Sequence, residues 1–161
     1  MIYIFKAQIK HSKIILKLIR EFADYFGDLD KITITEKDIQ DTIFCENPKS
    51  EILLFKESKD HNEIVGYTLY FYQHSGYTLE NFIYIDTIYI DKRYRNRGFG
   101  KKVMQYFCQK AINENCFRIE WNCYNLNKNA IRFYDNLGAN KVLNNIQYRF
   151  NKEDFTKILN K

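Results

Sequence analysis

Residues 82–101 read FIYIDTIYIDKRYRNRGFGK, and the fold turns on them. Phe82 to Ile90 is dominated by β-branched and aromatic residues, as a well-buried strand is, and Asp86 is the lone acid interrupting it. From Lys101 to Asn115, Val103, Met104, Phe107, Cys108, Ala111 and Ile112 recur at helical spacing. Between strand and helix lies Arg95-Asn96-Arg97-Gly98-Phe99-Gly100-Lys101. Two glycines in a tight strand-to-helix turn let backbone N–H groups approach an anion, and the helix N-terminus adds free donors and its dipole. Arg95, Arg97 and Lys101 bring matching charge, so a phosphate is the expected ligand.

Working outward, Ile2 to Ala7 predicts a strand, and Ser12 to Phe26 a helix with Ile14, Ile15, Leu18, Ile19 and Phe22 on one face and Gly27 as its stop. Thr35 with Asp38 three residues on predicts a capped second helix to about Cys45. Glu51 to Lys56 and Ile64 to Tyr72 predict a hairpin around Ser58 to Asn62. Downstream, Phe117 to Cys123 reads as a strand and Asn129 to Leu137 as a helix closed by Gly138. Val142 to Leu143 and Ile146 to Phe150 read as a last hairpin, and Lys152 to Leu159 as a terminal helix. The order predicts an α/β fold over 1–161 as a single domain. Its sheet is mixed and mostly antiparallel, flanked by helices, with a right-handed parallel crossover from Phe82 to Cys123.

Composition narrows the function classes. Within 161 residues the hydrophobic share is 45% and the aromatic share 17%, enough for a core without disulfides or metals. No stretch approaches the roughly 18 apolar residues of a membrane span, and Met1 to Phe5 is too short for a signal sequence, so a cytoplasmic protein is expected. Cys45, Cys108, Cys116 and Cys123 form no C-x-x-C pair and His11, His61 and His74 are scattered; the expectation is reduced, partly buried thiols and no metal. The net charge of +5 is spread along the chain among acids, which argues against nucleic acid as the partner.

Spacing then sorts the anion loops. Gly98-Phe99-Gly100-Lys101-Lys102 fails the Walker A pattern, and Val103 stands where a dinucleotide fingerprint needs its third glycine. What remains is R-x-x-G-x-G on Arg95, Gly98 and Gly100. This resembles the acetyl-CoA pyrophosphate loop of the GNAT acetyltransferase superfamily. A second segment, Asn127-x-x-Ala130-x-x-Phe133-Tyr134-x-x-x-Gly138-Ala139, is similar to that family's cofactor-side helix. The likeness extends toward the diamine branch, of spermidine/spermine and thialysine acetyltransferase type, through Leu18 to Glu21 with Tyr25, Thr35 to Asp38, Ile64 to Tyr67, Tyr94-Arg95 and Arg149.

The resemblance implies an acetyl-CoA-dependent N-acetyltransferase acting by direct attack of a small primary amine in a ternary complex. Backbone at Ile88, Tyr89 and Ile90 would bind the acetyl and pantetheine portion. Arg95 and the run Asn96, Arg97, Gly98, Phe99, Gly100 and Lys101 would hold the pyrophosphate. Asn127, Lys128, Asn129 and Ala130 would contact the rest of the cofactor, with Tyr134 beside the sulfur as general acid. A free alkylamine has a pKa of about 10.4, so a carboxylate must help deprotonate it, and Asp86 and Glu120 are the candidates. Tyr25, Asp28 and Asp30 are candidate acceptor contacts. Acids that the branch carries fall here at Thr87, Phe26 and Asn145 or Ile146, which favours a small amine, diamine or amino acid over a long polyamine. The family also often forms homodimers. A peptide N-terminus as acceptor, or a non-catalytic CoA- or nucleic-acid-binding module, are the alternatives.

Overall fold

The computed structural model describes residues 2–159. Inter-residue contacts divide the chain into two compact units, Met1–Asn122 and Cys123–Lys161. The first holds β1 (Tyr3–Lys6), α1 (Ser12–Tyr25), α2 (Glu36–Ile43), β2 (Glu51–Lys56), β3 (Ile64–His74), β4 (Asn81–Ile90), α3 (Phe99–Asn113) and β5 (Ile119–Trp121). The five strands form one sheet in the order β1-β2-β3-β4-β5. The first three pairings are antiparallel and β4–β5 is parallel, which is the mixed sheet expected of hairpins flanking a strand-helix-strand crossover.

Period-two alternation sends successive side chains to opposite faces, and each face has its own cover. On one, Ile15 and Leu18 of α1 and Ile39 of α2 cluster with Ile52, Leu54, Tyr67 and Tyr89. Tyr70, an odd number of residues from Tyr67, points the other way, and its ring lies 5.2 Å from that of Phe107 on α3. Fully burying a side chain such as Phe107 contributes about 1.5–3 kcal/mol, so a polar substitution there would strip α3 from the sheet. The Thr35 cap forms as predicted: its Oγ1 accepts from the Asp38 N–H at 3.3 Å while the Thr35 N–H donates to Asp38 Oδ2 at 2.7 Å.

Some boundaries differ from the sequence expectation. α3 begins at Phe99, ahead of Lys101, because Gly98 at φ +78° supplies the left-handed turn that admits the helix. β5 keeps only Ile119–Trp121 of the predicted run. On α3 the buried stripe is Val103, Met104, Phe107 and Ala111, whereas Cys108 and Ile112 face solvent, Ile112 at 73% exposure. Cys45 is likewise exposed, so only Cys116 and Cys123 are partly buried thiols.

The second unit carries α4 (Lys128–Asn136) and α5 (Lys152–Leu159). Gly138 at φ +81° closes α4, with the Ala139 N–H donating to the Tyr134 carbonyl at 3.1 Å. The predicted hairpin over 142–150 is not formed: these residues join no ladder, and Leu143 and Tyr148 are 82% and 86% exposed. Alternating apolar residues become a strand only when an edge pairs them and a face buries them. No helix among the described residues is long and apolar enough to cross a membrane.

Candidate functional site

The site begins at a fault in β4. Leu69 pairs with Thr87 and Tyr70 pairs with Ile85, so Asp86 is the extra residue of a β-bulge. On the other edge β5 pairs only with Ile83, Tyr84 and Ile85. From Asp86 to Ile90, β4 therefore has a strand neighbour on the β3 side alone among the described residues. The Asp91 N–H donates to the Val65 carbonyl at 2.9 Å. Ladder alternation then turns Tyr89 and Thr87 toward β3 and leaves the amides of Ile88 and Ile90 facing the open edge. Such an edge can accept an extended amide-bearing ligand as a surrogate strand.

Asp86 is exposed at the bulge and accepts from the Thr87 hydroxyl at 3.0 Å. Thr68, buried next door, donates to the Thr87 carbonyl at 2.7 Å and anchors the distortion. The Tyr67 hydroxyl is raised well above its ordinary range, first by burial and then by the Asp86 charge. Tyr84 is raised as well, by burial and then by Asp86 and Glu120, and it accepts from Asn122 Nδ2 at 2.7 Å. Glu120, opposite Tyr84 in the ladder, is paired with Arg118 at 2.5 Å, which makes it the weaker base candidate. Tyr67, Tyr84 and Asn122 were given no role from sequence and Thr87 was read only as the place of an absent acid, since it is the strand pairing that sets the three more distant residues around Asp86.

The chain then enters the loop from Arg95 to Lys101, the candidate anion site. A 3-10 turn over Lys92–Tyr94 is capped by Asp91, whose carboxylate accepts from the Arg93 N–H at 2.9 Å. Arg93 is committed to Asp91 and Glu63, at 2.6 and 2.5 Å, and Tyr94 Oη donates to Glu63 at 2.8 Å. Asn96 at φ +60° and Gly98 at φ +78° fold the backbone back on itself. The Lys102 N–H is the first to find its helical acceptor, the Gly98 carbonyl at 3.2 Å. The N–H groups of Phe99, Gly100 and Lys101 precede it without one, the donor set that an anion satisfies. Lys101 is exposed and makes no ion pair among the described residues, whereas Arg97 reaches Glu57 at 3.4 Å.

Arg95 turns elsewhere. Its Nε donates to the Ile90 carbonyl at 2.8 Å, and its guanidinium carbon lies 4.6 Å from the Tyr25 ring centre and 5.7 Å from that of Tyr89. Tyr89 Oη donates to Glu21 at 3.3 Å, and burial, with Glu21 second, pushes that hydroxyl up to about 12. Tyr25, Tyr89, Ile90 and Arg95 are thus brought together. Asp28 is bound locally by Lys31 at 2.6 Å.

Within the second unit, Asn127 is the α4 N-cap, accepting from the Ala130 N–H at 3.1 Å, and Lys128 Nζ donates to the Asn125 carbonyl at 3.1 Å. The Tyr134 hydroxyl is pushed up to about 12 by burial and then by the Cys123 thiol. It therefore stays protonated across neutral pH and can act as a donor.

Comparison with known proteins points one way. The profile described as "Acetyltransferase (GNAT) family" matches residues 15–139. A thialysine N-epsilon-acetyltransferase of Sus scrofa is 33% identical over 130 residues, covering 78% of this chain and 76% of its own. An L-ornithine N5-acetyltransferase of Arabidopsis thaliana is 32% identical over 76 residues, 47% of this chain and 33% of that protein. An integron cassette protein from the mobile metagenome of V. cholerae superposes with a TM-score of 0.81 at 21% identity, covering 99% of this chain and 98% of the other.

Proposed function

The chain belongs to the acetyltransferase (GNAT) family, and we propose that it moves an acetyl group from acetyl-CoA to a primary amine of a small molecule. One observation carries the reading: the open amides of Ile88 and Ile90 lead, through the Lys92–Tyr94 turn, to the free N–H groups of Phe99, Gly100 and Lys101, a surrogate-strand edge followed by donors for an anion.

In this reading the pantetheine amides pair along Ile88, Tyr89 and Ile90, and the pyrophosphate takes the N–H groups of Phe99, Gly100 and Lys101 with the Lys101 ammonium above them. Asn127, Lys128, Asn129 and Ala130 serve the remaining arm of the cofactor. The amine nitrogen attacks the thioester carbonyl, forming C–N and breaking C–S. The Ile90 N–H steadies the oxyanion, Asp86 receives the amine proton directly or through water, and Tyr134 Oη donates to the departing sulfur.

The acceptor side suits a compact amine. Asp86 makes no ion pair among the described residues, whereas Glu120 is paired with Arg118 and Asp28 with Lys31. A long polycation would need several such carboxylates. The relatives named for thialysine and ornithine act, by those names, on small amino acids bearing side-chain amines, and lysine-like amines are the class we propose here.

The test is calorimetric titration with acetyl-CoA, then thiol release over lysine, thialysine, ornithine, short diamines and spermidine. The expected result is acetyl-CoA binding and highest turnover on the amino acids or diamines. Absence of binding ends the proposal, and release only with a peptide N-terminus replaces the acceptor class.

A further inference from the structure

On the acetyltransferase reading above, we infer that Arg95 is a positioning residue for the acceptor side: it ties the end of α1 to the root of the anion loop by stacking on Tyr25 and bonding the Ile90 carbonyl. Its place at the head of R-x-x-G-x-G suggests a phosphate ligand, but its contacts run the other way. Arg93 and Arg97 meet carboxylates as well as the Tyr94 ring, whereas Arg95 meets no carboxylate among the described residues, only a carbonyl and two ring faces. The in-plane Nε–H reaches Ile90 at 2.8 Å, and the guanidinium lies over Tyr25 with its centre at 4.6 Å. Tyr89, the second ring, is itself bonded to Glu21 of α1. The segments brought together are the last turns of α1, the last residues of β4 and the entry to the loop.

Two consequences follow from the geometry. Holding the Ile90 carbonyl sets the plane of the peptide that begins the loop. Holding Tyr25 sets where α1 ends, and therefore where residues 26–34, which lead to α2, start. A lysine keeps the charge but has neither the planar face nor the in-plane donor beside it, so charge and stacking are separable.

The experiment compares Arg95→Lys, Tyr25→Phe, Tyr25→Leu and the double variant R95K/Y25L. Steady-state kinetics are run with acceptor and acetyl-CoA varied separately, with titration of acetyl-CoA alone. Losing the stack should raise the acceptor KM about three- to thirtyfold in R95K and Y25L, with acetyl-CoA affinity within about twofold of the parent. Y25F, which keeps a ring face, should raise the acceptor KM less than Y25L does, and the double variant should be no worse than the worse single one. A loss of acetyl-CoA affinity in R95K with acceptor KM unchanged would make Arg95 a phosphate ligand and overturn the inference. So would fully additive effects in the double variant. Amide hydrogen exchange gives a readout that needs no turnover: R95K should raise exchange both in 26–34 and in 96–98, and a rise confined to 96–98 counts against the tie. Failure of the acetyltransferase reading is distinct, because it would show in the parent protein as no acetyl-CoA binding.

Discussion

Thr87 donates its hydroxyl to Asp86 at 3.0 Å at the one point where β3 skips a residue of β4. The bulge thereby aims a carboxylate out of a strand that is otherwise apolar or aromatic around it, and the neighbouring Thr87 holds that carboxylate's rotamer. Asp86 is exposed there and adds nothing to the packed core, so the arrangement serves no evident packing purpose.

Asp86→Asn should therefore cost turnover far more than fold. We expect kcat/KM for the amine to fall by about 10²–10⁴, with acetyl-CoA affinity unchanged. Because the neutral amine becomes abundant only toward its own pKa of about 10.4, residual activity in the variant should climb with pH more steeply than in the parent. A pH–rate profile checks this, and parallel profiles would remove Asp86 as the proton acceptor.

Tyr134→Phe separates binding from leaving-group chemistry. A hydroxyl held at about 12 keeps its proton until pH rises through that value, so Tyr134 should introduce no limb into the parent profile below about pH 11. The variant should lose about 10²-fold in kcat at little cost in acetyl-CoA affinity. Equal turnover in a thiol-release assay would take the role away from it.

Gly66 and Gly98 should fail in different ways. A Cβ at Gly98 meets open space, so Gly98→Ala pays only for a positive φ, about 1–2 kcal/mol, together with weaker acetyl-CoA binding as the cradle relaxes. A Cβ at Gly66 would run into the Tyr89 carbonyl oxygen and crowd the Ile90 Cα. Gly66→Ala must part β3 from β4 and should be the more destabilising of the two, which chemical denaturation measures directly.

On the α3 face, Glu114 accepts from Lys110 and from Tyr72 Oη, each at 2.6 Å. Burial alone would raise its carboxyl, but these two bonds outweigh it and hold the group below the usual range. A lowered folded-state value stabilises above the unfolded pKa of about 4.3 and loses that contribution as pH falls through the folded value. Glu114→Gln should accordingly lower Tm at pH 7 and leave it nearly unchanged near pH 3. The effect should stay below about 1 kcal/mol because the pair is partly solvated.

Much of the architecture was legible because it is written in local chemistry. The bounds of β2 and α5, the Thr35 cap and the Gly138 stop each follow from residue type and spacing, and each stands as read. Strand pairing was harder. Phe117 and Cys123 have the composition of a strand, but β5 ends at Trp121, and the apolar alternation over 142–150 forms no ladder. Both outcomes depend on whether an edge is present to be paired, which no single segment states.

The loop from Arg95 to Lys101 shows the same division. Its glycines, its charge and its place before an amphipathic helix marked a candidate anion site on sequence alone, because φ preference and helix-end donors belong to the segment itself. The bulge at Asp86, the open amides of Ile88 and Ile90, and the turn of Arg95 onto Tyr25 came only from the tertiary structure. Each is a relation between residues distant in sequence, set by ladder register and by which ring lies within reach of a cation.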